Sequence, residues 1–326
     1  MNNDYLWDRS GPADPEIARL EKTLAPLGYR LGQRPAWDRP VPQAGRGIAR
    51  FWWGAAAASV LIAFSAWQVR LAPALSTDWQ ISRLQGSARL GSQAAATTMT
   101  LAAGQVLRTG PSTDLTLEAD SVGRLDMGPD SALRAASSKS MELERGSLHA
   151  FIWARPREFV VDTPSARAVD LGCEYTLTVN ATGDGLLRVA MGWVAFQAGD
   201  YEAFIPAGAE CETRRRGGPG IPYFEDAPEA FRRALAAFEA GRQDALDAIL
   251  ADARPRDGLT LWHLLTRVPA GERGAVFDRF AALVRVPPEV TRRAALAKDP
   301  ETINRLWDAL DLENTEWWRG WERPWK

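Results

Sequence analysis

Cysteine and histidine are scarce in this chain, which has two of each among 326 residues. A structural zinc site takes four ligands, so one made of these residues alone would need all four to converge. A surplus of positive charge is also lacking, because 39 Lys and Arg are balanced by 41 Asp and Glu. A chain this balanced has no general affinity for nucleic acid, and no nucleic-acid-reading motif occurs in it.

The sequence motifs of common catalytic sites are missing as well. The sequence contains no Gly-rich phosphate loop, no G-x-S-x-G and no H-E-x-x-H. Its carboxylates are scattered without a pairing pattern. We therefore predict a protein that is not an enzyme, binds no cofactor and acts by binding other macromolecules.

Long uncharged stretches are equally rare, and residues 51–69 form the one run of 19 residues without a charge. As a helix this run would be about 28 Å long, close to the hydrocarbon thickness of a bilayer. Trp52, Trp53 and Trp67 lie near its ends, where tryptophan favours the lipid headgroups. The pattern favours a transmembrane helix over the alternative, a buried alanine-rich core helix.

The flanking charges predict the orientation of this helix. Residues 1–50 carry eight Arg and Lys, whereas Arg70 and Arg83 are the only basic residues between the run and Arg89. The positive-inside rule then leaves the N-terminus in the cytoplasm and exports residues 71–326. A leader of 50 residues is too long for a cleaved signal peptide, so we expect an uncleaved anchor.

The cytoplasmic segment, residues 1–50, contains the pattern of a short amphipathic helix. Asp14 and Pro15 suit a helix start, and Gly28 suits its end. A helix of about 13 residues is marginal alone in water, so its apolar face needs a partner or the membrane surface. The alternative is a poorly ordered tail. We predict that a partner binds the four apolar residues of this face: Ile17, Leu20, Leu24 and Leu27.

From residue 79 to residue 212 the apolar residues recur with a period of two, which is typical of β-strands. Glycines at intervals of about 20 residues separate these strands and suggest a strand-turn repeat. The predicted fold class is therefore mainly β plus α, with the β domain either β-solenoid-like or an irregular sandwich. The clearest alternating segments are 115–117, 125–127, 141–143, 159–161, 175–179, 187–189 and 193–196.

Six short motifs in this β region, in the same order, resemble those of the FecR domain. The most specific is F-V-V-D-T-P at residues 159–164, and Cys173 stands where the family usually has threonine. The full set comprises residues 101–110 (LAAGQVLRTG), 125–133, 143–148, 159–164, 171–175 and 189–196.

The resemblance implies a single-pass regulator of the bacterial inner membrane, with a cytoplasmic N-terminus and a periplasmic C-terminal region. In FecR-like proteins the cytoplasmic end holds an extracytoplasmic-function sigma factor, and the exported end receives a signal, often from an outer-membrane receptor. The partners expected here are therefore such a sigma factor and an outer-membrane receptor or other envelope protein. The alternative is a non-enzymatic envelope binding or scaffold protein that uses the FecR domain as a structural module.

The two cysteines, Cys173 and Cys211, both fall on the exported side, where a disulfide can persist. They lie 38 positions apart. We favour a disulfide between them over the alternative of two separate buried thiols.

Residues 226–326 predict a C-terminal α-helical domain of about six short helices, preceded by a linker at 214–220. Residues 257–263 look locally like the turn of an ankyrin repeat, but they occur once, so we interpret His263 as structural. Four tryptophans follow near residue 326, interleaved with Arg and Lys. This Trp-rich tail suits a membrane interface or a partner groove, or equally a segment packed back on the domain.

Overall fold

The structure is a computed structural model that describes residues 78–199 and 201–312, together with Arg19. The predicted transmembrane helix at 51–69, the apolar face of the cytoplasmic helix and the Trp-rich tail lie outside these residues. Among the described residues, no helix has both the length and the apolar character needed to cross a membrane. Those from Asp78 onward belong to one compact unit, Ala74–Lys326.

Eighteen strands precede the helices in the described part of the chain. The alternating segments 115–117, 125–127, 141–143, 175–179, 187–189 and 193–196 all lie within strands, as predicted. The strand bounds are β1 Trp79–Gln85, β2 Ala88–Leu90, β3 Gln93–Ala94, β4 Thr100–Leu101, β5 Val106–Thr109, β6 Asp114–Ala119, β7 Gly123–Met127, β8 Ala132–Ser137, β9 Ser140–Ile152, β10 Val160–Asp162, β11 Arg167–Asp170, β12 Glu174–Val179, β13 Gly185–Met191, β14 Trp193–Ala198, β15 Tyr201–Pro206, β16 Ala209–Arg214, β17 Gly218–Pro219 and β18 Tyr223–Phe224.

The strands pair into two sheets, which we call sheet A and sheet B. Sheet A has the order β4-β1-β6-β7-β9-β12-β13-β16, and β17 and β18 both pair with β16. Sheet B has the order β3-β2-β5-β8-β9-β10-β11-β14-β15. All of these pairs are antiparallel except β9 with β10, which is parallel.

Strand β9 belongs to both sheets because it bends at Gly146. Its first half pairs with β8 and β10 in sheet B, and its second half pairs with β7 and β12 in sheet A. Gly146 has a φ of 99°, and a Cβ there would lie 2.1 Å from Ser131 Oγ. The bend therefore requires glycine, both for its backbone conformation and for the space it occupies.

Side chains from both sheets meet in a single apolar core. Leu117 and Leu125 of sheet A and Leu107 and Leu133 of sheet B belong to the same buried cluster. Because the strands are almost all antiparallel and enclose one core, the β part is an irregular sandwich. The solenoid alternative, which would stack parallel strands, does not fit this pairing.

Six α-helices follow within the described residues, in agreement with the number expected from the sequence. They form a second apolar cluster, to which α1, α3 and α4 contribute Phe231, Trp262 and Phe280. The bounds are α1 Glu229–Glu239, α2 Ala245–Asp252, α3 Gly258–Arg267, α4 Arg273–Leu283, α5 Arg292–Leu296 and α6 Pro300–Asp308, with a 3-10 turn at Pro255–Asp257.

The strands continue past residue 212, where the β region was expected to end. The stretch predicted as a linker, residues 214–220, instead contains the end of β16, a tight turn and the whole of β17. Its glycines allow the chain to reverse tightly. The same Gly-rich composition had led us to expect a break between domains at this point.

Candidate functional site

The motifs that resemble the FecR domain form a hydrogen-bonded joint between the two sheets. Thr109 Oγ1 donates to the carbonyl of Gly128 at 2.7 Å and accepts from the backbone N–H of Ser131 at 2.8 Å. The hydroxyl of Ser131 in turn accepts from the N–H of Ser147 at 2.9 Å. Since all four residues fall within the first three motifs, the motifs mark positions that the architecture needs.

A second joint lies where the chain passes from sheet A to sheet B. Gly172 and Gly192 have φ values of 85° and 73°. They pack so closely that a Cβ on Gly192 would lie 2.1 Å from the carbonyl oxygen of Gly172. Thr163 closes the turn between β10 and β11, since its hydroxyl accepts from the N–H of Ala166 and donates to the carbonyl of Ala166. These residues belong to the last three motifs, which therefore also have structural roles.

The predicted disulfide between Cys173 and Cys211 is absent, and both buried cysteines are free. Cys211 pairs with Leu187 across β16 and β13, and Leu187 pairs with Leu177, four residues after Cys173. Two strand spacings and four residues of strand separate their Cα atoms by about 16 Å. A disulfide needs about 6 Å, so the spacing of 38 residues brought the cysteines into one core but not into contact.

The thiol of Cys173 donates a hydrogen bond to the buried carboxyl of Asp170. Burial raises the pKa of Asp170 to about 7, against the opposing effect of hydrogen bonds from Cys173 and from the N–H of Gly172. Burial also raises the pKa of the Cys173 thiol well above its usual value. Tyr175 lies close by, and its buried hydroxyl has no hydrogen-bond partner. Because a thiol held in its protonated form is a poor nucleophile, this cluster is structural.

His263 joins the helices to the edge of sheet B. Its Nε2 accepts a hydrogen bond from the backbone N–H of Phe204 on β15 at 3.2 Å. Its Nδ1 therefore carries the proton and donates to the carbonyl of Leu259 at 2.9 Å. Burial lowers the pKa of His263 to about 3, so the ring is neutral at physiological pH. The histidine is structural, as predicted, and it bonds both its own helix and the edge of a strand.

Trp307 on α6 fills the same junction with aromatic contacts. Its ring lies 5.6 Å from that of Trp193, 5.8 Å from that of Phe204 and 4.8 Å from that of Trp262. The contacts extend the apolar surface of sheet B into the helical cluster. The β sandwich and the helices thus share buried surface in addition to the hydrogen bond of His263.

A cleft of about 320 Å³ opens between β17, α1 and α3. Arg267 lies 3.8 Å from Glu239, and its guanidinium stacks 3.5 Å above the ring of Tyr201. Glu239 also accepts from the N–H of Ile221, and burial raises its pKa. Because the cleft neutralises these charges internally, we assign no ligand to it.

His149 lies on the outer face of sheet A. Its Nε2 is 3.1 Å from Glu174 Oε1, and its Nδ1 is 3.1 Å from the hydroxyl of Thr176. No group of three His, Cys, Asp or Glu side chains converges on a common point in the described ranges. We therefore have no candidate metal centre to describe around either histidine.

The same outer face carries three exposed apolar side chains, which we call the aromatic surface: Phe151, Trp153 and Met191. Their exposed fractions are 38%, 49% and 49%. Phe151 and Met191 flank Glu174 in the paired strands, and the rings of Phe151 and Trp153 are 5.8 Å apart. Exposed apolar groups that lie this close together make the face a candidate interaction surface.

The sequence analysis missed this surface, although β9 contains a signal for it. Residues 151–153 are three consecutive apolar residues, Phe-Ile-Trp; the first two end β9, and Trp153 follows it directly. Ile152 faces the core, so its two neighbours must face outward.

The predicted partner-binding residues, Ile17, Leu20, Leu24 and Leu27, lie outside the described residues. Arg19 is the described residue of that segment, and it is helical and exposed. Partner binding by this face therefore stays a prediction.

No family model matches this chain, and no curated protein does. Two crystal structures, at 1.65 and 2.50 Å resolution, of a protein from Parabacteroides distasonis provisionally described as an anti-sigma factor are similar to part of it. Each is 14% identical, with a TM-score of 0.33, over 40% of this chain. This chain spans 64% and 63% of the two matched chains. At this TM-score, the likeness is only a partial similarity to those structures.

Proposed function

We propose that this chain is a single-pass inner-membrane regulator of an extracytoplasmic-function sigma factor. In this proposal residues 1–50 bind the sigma factor in the cytoplasm, residues 51–69 cross the membrane, and the β sandwich with its helices lies in the periplasm. An outer-membrane receptor or another envelope protein would deliver the signal to the periplasmic part.

One observation carries the proposal: the six FecR-like motifs occupy the joints of one continuous sandwich. Thr109 and Ser131 link β5, β8 and β9, and Gly172 and Gly192 shape the crossing between sheets. Chance matches scattered along a chain would not be expected to coincide with the positions where the backbone needs these residue types. The coincidence supports the resemblance, and the resemblance supplies the sigma factor as the partner class.

Co-purification of the full-length chain with the sigma factors of its source genome tests the proposal. We expect one extracytoplasmic-function sigma factor to be retained. Leu20→Asp or Leu24→Asp should release it, because a carboxylate would be buried in an apolar interface. Arg19→Glu is the matched control, since Arg19 is exposed in the same segment and its replacement should leave binding intact. Retention of no sigma factor, or equal retention by all variants, would contradict the proposal.

The orientation can be tested by thiol labelling in intact cells. Cys173 and Cys211 are buried, so they give little background in the folded protein. A membrane-impermeant maleimide should label Ser92→Cys from the periplasm but should label Arg19→Cys only after lysis. If labelling places Ser92→Cys in the periplasm but no sigma factor is retained, the envelope scaffold alternative is favoured.

A further inference from the structure

One row of side chains crosses the outer face of sheet A at the end where the chain enters the sandwich. Consecutive strand pairings place six residues opposite one another in this row. Each of the six side chains is exposed or half-buried, so the row faces outward. In the order of the sheet the residues are Gln80 on β1, Glu118 on β6, Arg124 on β7, Phe151 on β9, Glu174 on β12 and Met191 on β13.

The aromatic surface lies at the same end of sheet A as the entry of the chain. Phe151 and Met191 are members of the row. Strand β9 runs toward this end, and Trp153 follows its last residue, Ile152. Strand β1 starts at this end, and Asp78 directly precedes it.

In the function proposed above, this entry point is tied to the inner membrane. Residues 70–78 separate the proposed transmembrane segment, 51–69, from β1, and nine residues span at most about 30 Å. Phe151 lies three strand spacings, about 14 Å, from Gln80, and Met191 lies five, about 24 Å. The bilayer is therefore within reach of the aromatic surface, and the tether keeps the local concentration of lipid high.

The size of the aromatic surface suits a bilayer better than a second copy of the chain. Its three side chains, Phe151, Trp153 and Met191, together expose about 300 Å², as estimated from their exposed fractions. A standard protein interface buries about 800 Å² on each partner, so these groups are too few to hold a dimer. A bilayer sets no such minimum, because each apolar side chain can insert separately.

Trp153 also has the bonding that a position among lipid head groups requires. Its Nε1 donates to the carbonyl of Asp120 at 2.8 Å, so the polar edge of the indole keeps its hydrogen bond while the ring contacts lipid. Its edge-to-face contact with Phe151 holds the two rings together on the surface. Tryptophan is enriched at membrane–water interfaces for this combination of an apolar ring and a polar edge.

The charges near the aromatic surface are of both signs. The row holds one arginine and two glutamates, and Arg155 is exposed two residues after Trp153. Because these charges offset one another, the attraction to lipid must come from the apolar groups. Binding should then be insensitive to salt, which screens only charge interactions.

We propose that this end of sheet A rests on the bilayer and that Phe151, Trp153 and Met191 insert among its lipid head groups. The inference rests on the membrane anchor of the function proposed above, and it adds an orientation of the sandwich. The opposite end of sheet A, around Asp114, is then turned away from the lipid and open to a periplasmic partner.

Quenching by lipid in nanodiscs tests this contact. The full-length chain is placed, one copy per disc, in bilayers of phosphatidylethanolamine and phosphatidylglycerol, so a second copy is excluded as the occupant. An environment-sensitive fluorophore is attached to Met191→Cys, while the native Cys173 and Cys211 are buried. Asp114→Cys is the matched control, because Asp114 is exposed on the same face of β6, four residues from Glu118 in the row.

We expect brominated lipid to quench the label at position 191 about threefold or more strongly than the label at position 114, at low and high salt alike. Phe151→Asp should reduce the quenching at position 191, whereas Phe151→Leu should retain it. Because Phe151 is exposed, both variants should fold, which near-UV circular dichroism checks. Equal quenching at the two labelled positions, or loss of quenching at high salt, would overturn the proposal.

Alkaline carbonate extraction of cell membranes distinguishes the two ways in which the inference can fail. A chain that carbonate extracts has no membrane anchor, so the proposed function and this inference are then both wrong. A chain that stays in the membrane, with a label at position 191 that lipid does not quench, refutes this inference alone.

Discussion

Acid should lower the free energy of unfolding through His263, the residue that joins the helices to sheet B. The neutral ring accepts from the N–H of Phe204 through Nε2. Protonation would place two N–H donors face to face in a buried site, so the folded protein resists it and the pKa of His263 falls to about 3. In the unfolded chain the histidine titrates near 6.5. As the pH falls below 6.5, the unfolded state gains a proton that the folded state does not take up.

The magnitude follows from linkage. Each pH unit between these two pKa values costs about 1.4 kcal/mol of stability, so the step from pH 6.5 to pH 4 removes about 3 kcal/mol. Above pH 6.5 the contribution is constant. Asp170 acts in the opposite direction, because its raised pKa of about 7 makes the folded state gain stability as the pH falls toward 3.8. The free energy of unfolding of the wild-type protein therefore contains both effects at every pH.

A comparison with His263→Gln separates them. Glutamine can accept from Phe204 and donate to Leu259 but does not titrate, whereas Asp170 is common to both proteins. Urea unfolding of the purified full-length chains, followed by near-UV circular dichroism, gives the difference in free energy of unfolding at each pH. We expect the wild type to lose about 3 kcal/mol relative to the variant between pH 7 and pH 4. A difference that stays constant with pH would refute the assignment of a neutral, buried histidine.

Three other substitutions or measurements test the joints and the buried cluster. Asp170→Asn should be more stable relative to wild type at pH 8 than at pH 5, because it removes the ionisation that the buried site disfavours; unfolding curves at the two pH values check this. Gly146→Ala should lower the free energy of unfolding by about 2 kcal/mol or more, since φ is 99° and Ser131 occupies the space, and an unchanged midpoint would contradict it. Thiol labelling of the denatured, unreduced chain should find Cys173 and Cys211 both reactive, whereas no reaction would restore the disulfide.

The sequence was most informative where a local pattern alone decides the structure. Alternation in 175–179 and 193–196 predicted strands, and the helix signals of residues 226–326 predicted about six helices. A strand or helix of this kind can be predicted from the spacing of its apolar residues and from the turn residues beside it, and both are visible in the local sequence.

The sequence was least informative where contacts between distant segments decide. The separation of Cys173 from Cys211 depends on two intervening strand pairings, which no spacing in sequence encodes. The partner of His263 lies 59 residues away on β15. The exposure of Trp153 depends on which side of sheet A the core occupies. To predict any of these three features, one must know the register of the strands, and the packing of the whole sandwich sets that register.

The positions of the FecR-like motifs show which property of the chain the resemblance accounts for. The buried residues of the motifs account for the sandwich fold, and they leave partner binding to other residues. Thr109 and Ser131 are buried and hydrogen-bonded, and Gly192 makes a close backbone contact, so these three residues specify the sandwich. Contacts with a partner are left to other positions, which include exposed residues inside the motifs such as Met191. The predicted apolar face around Leu20 and the Trp-rich tail are two segments whose composition the sandwich does not explain, and they lie before and after it in the chain. Under the function proposed above, partners could change without loss of the fold, because variation in either segment leaves every joint of the sandwich intact.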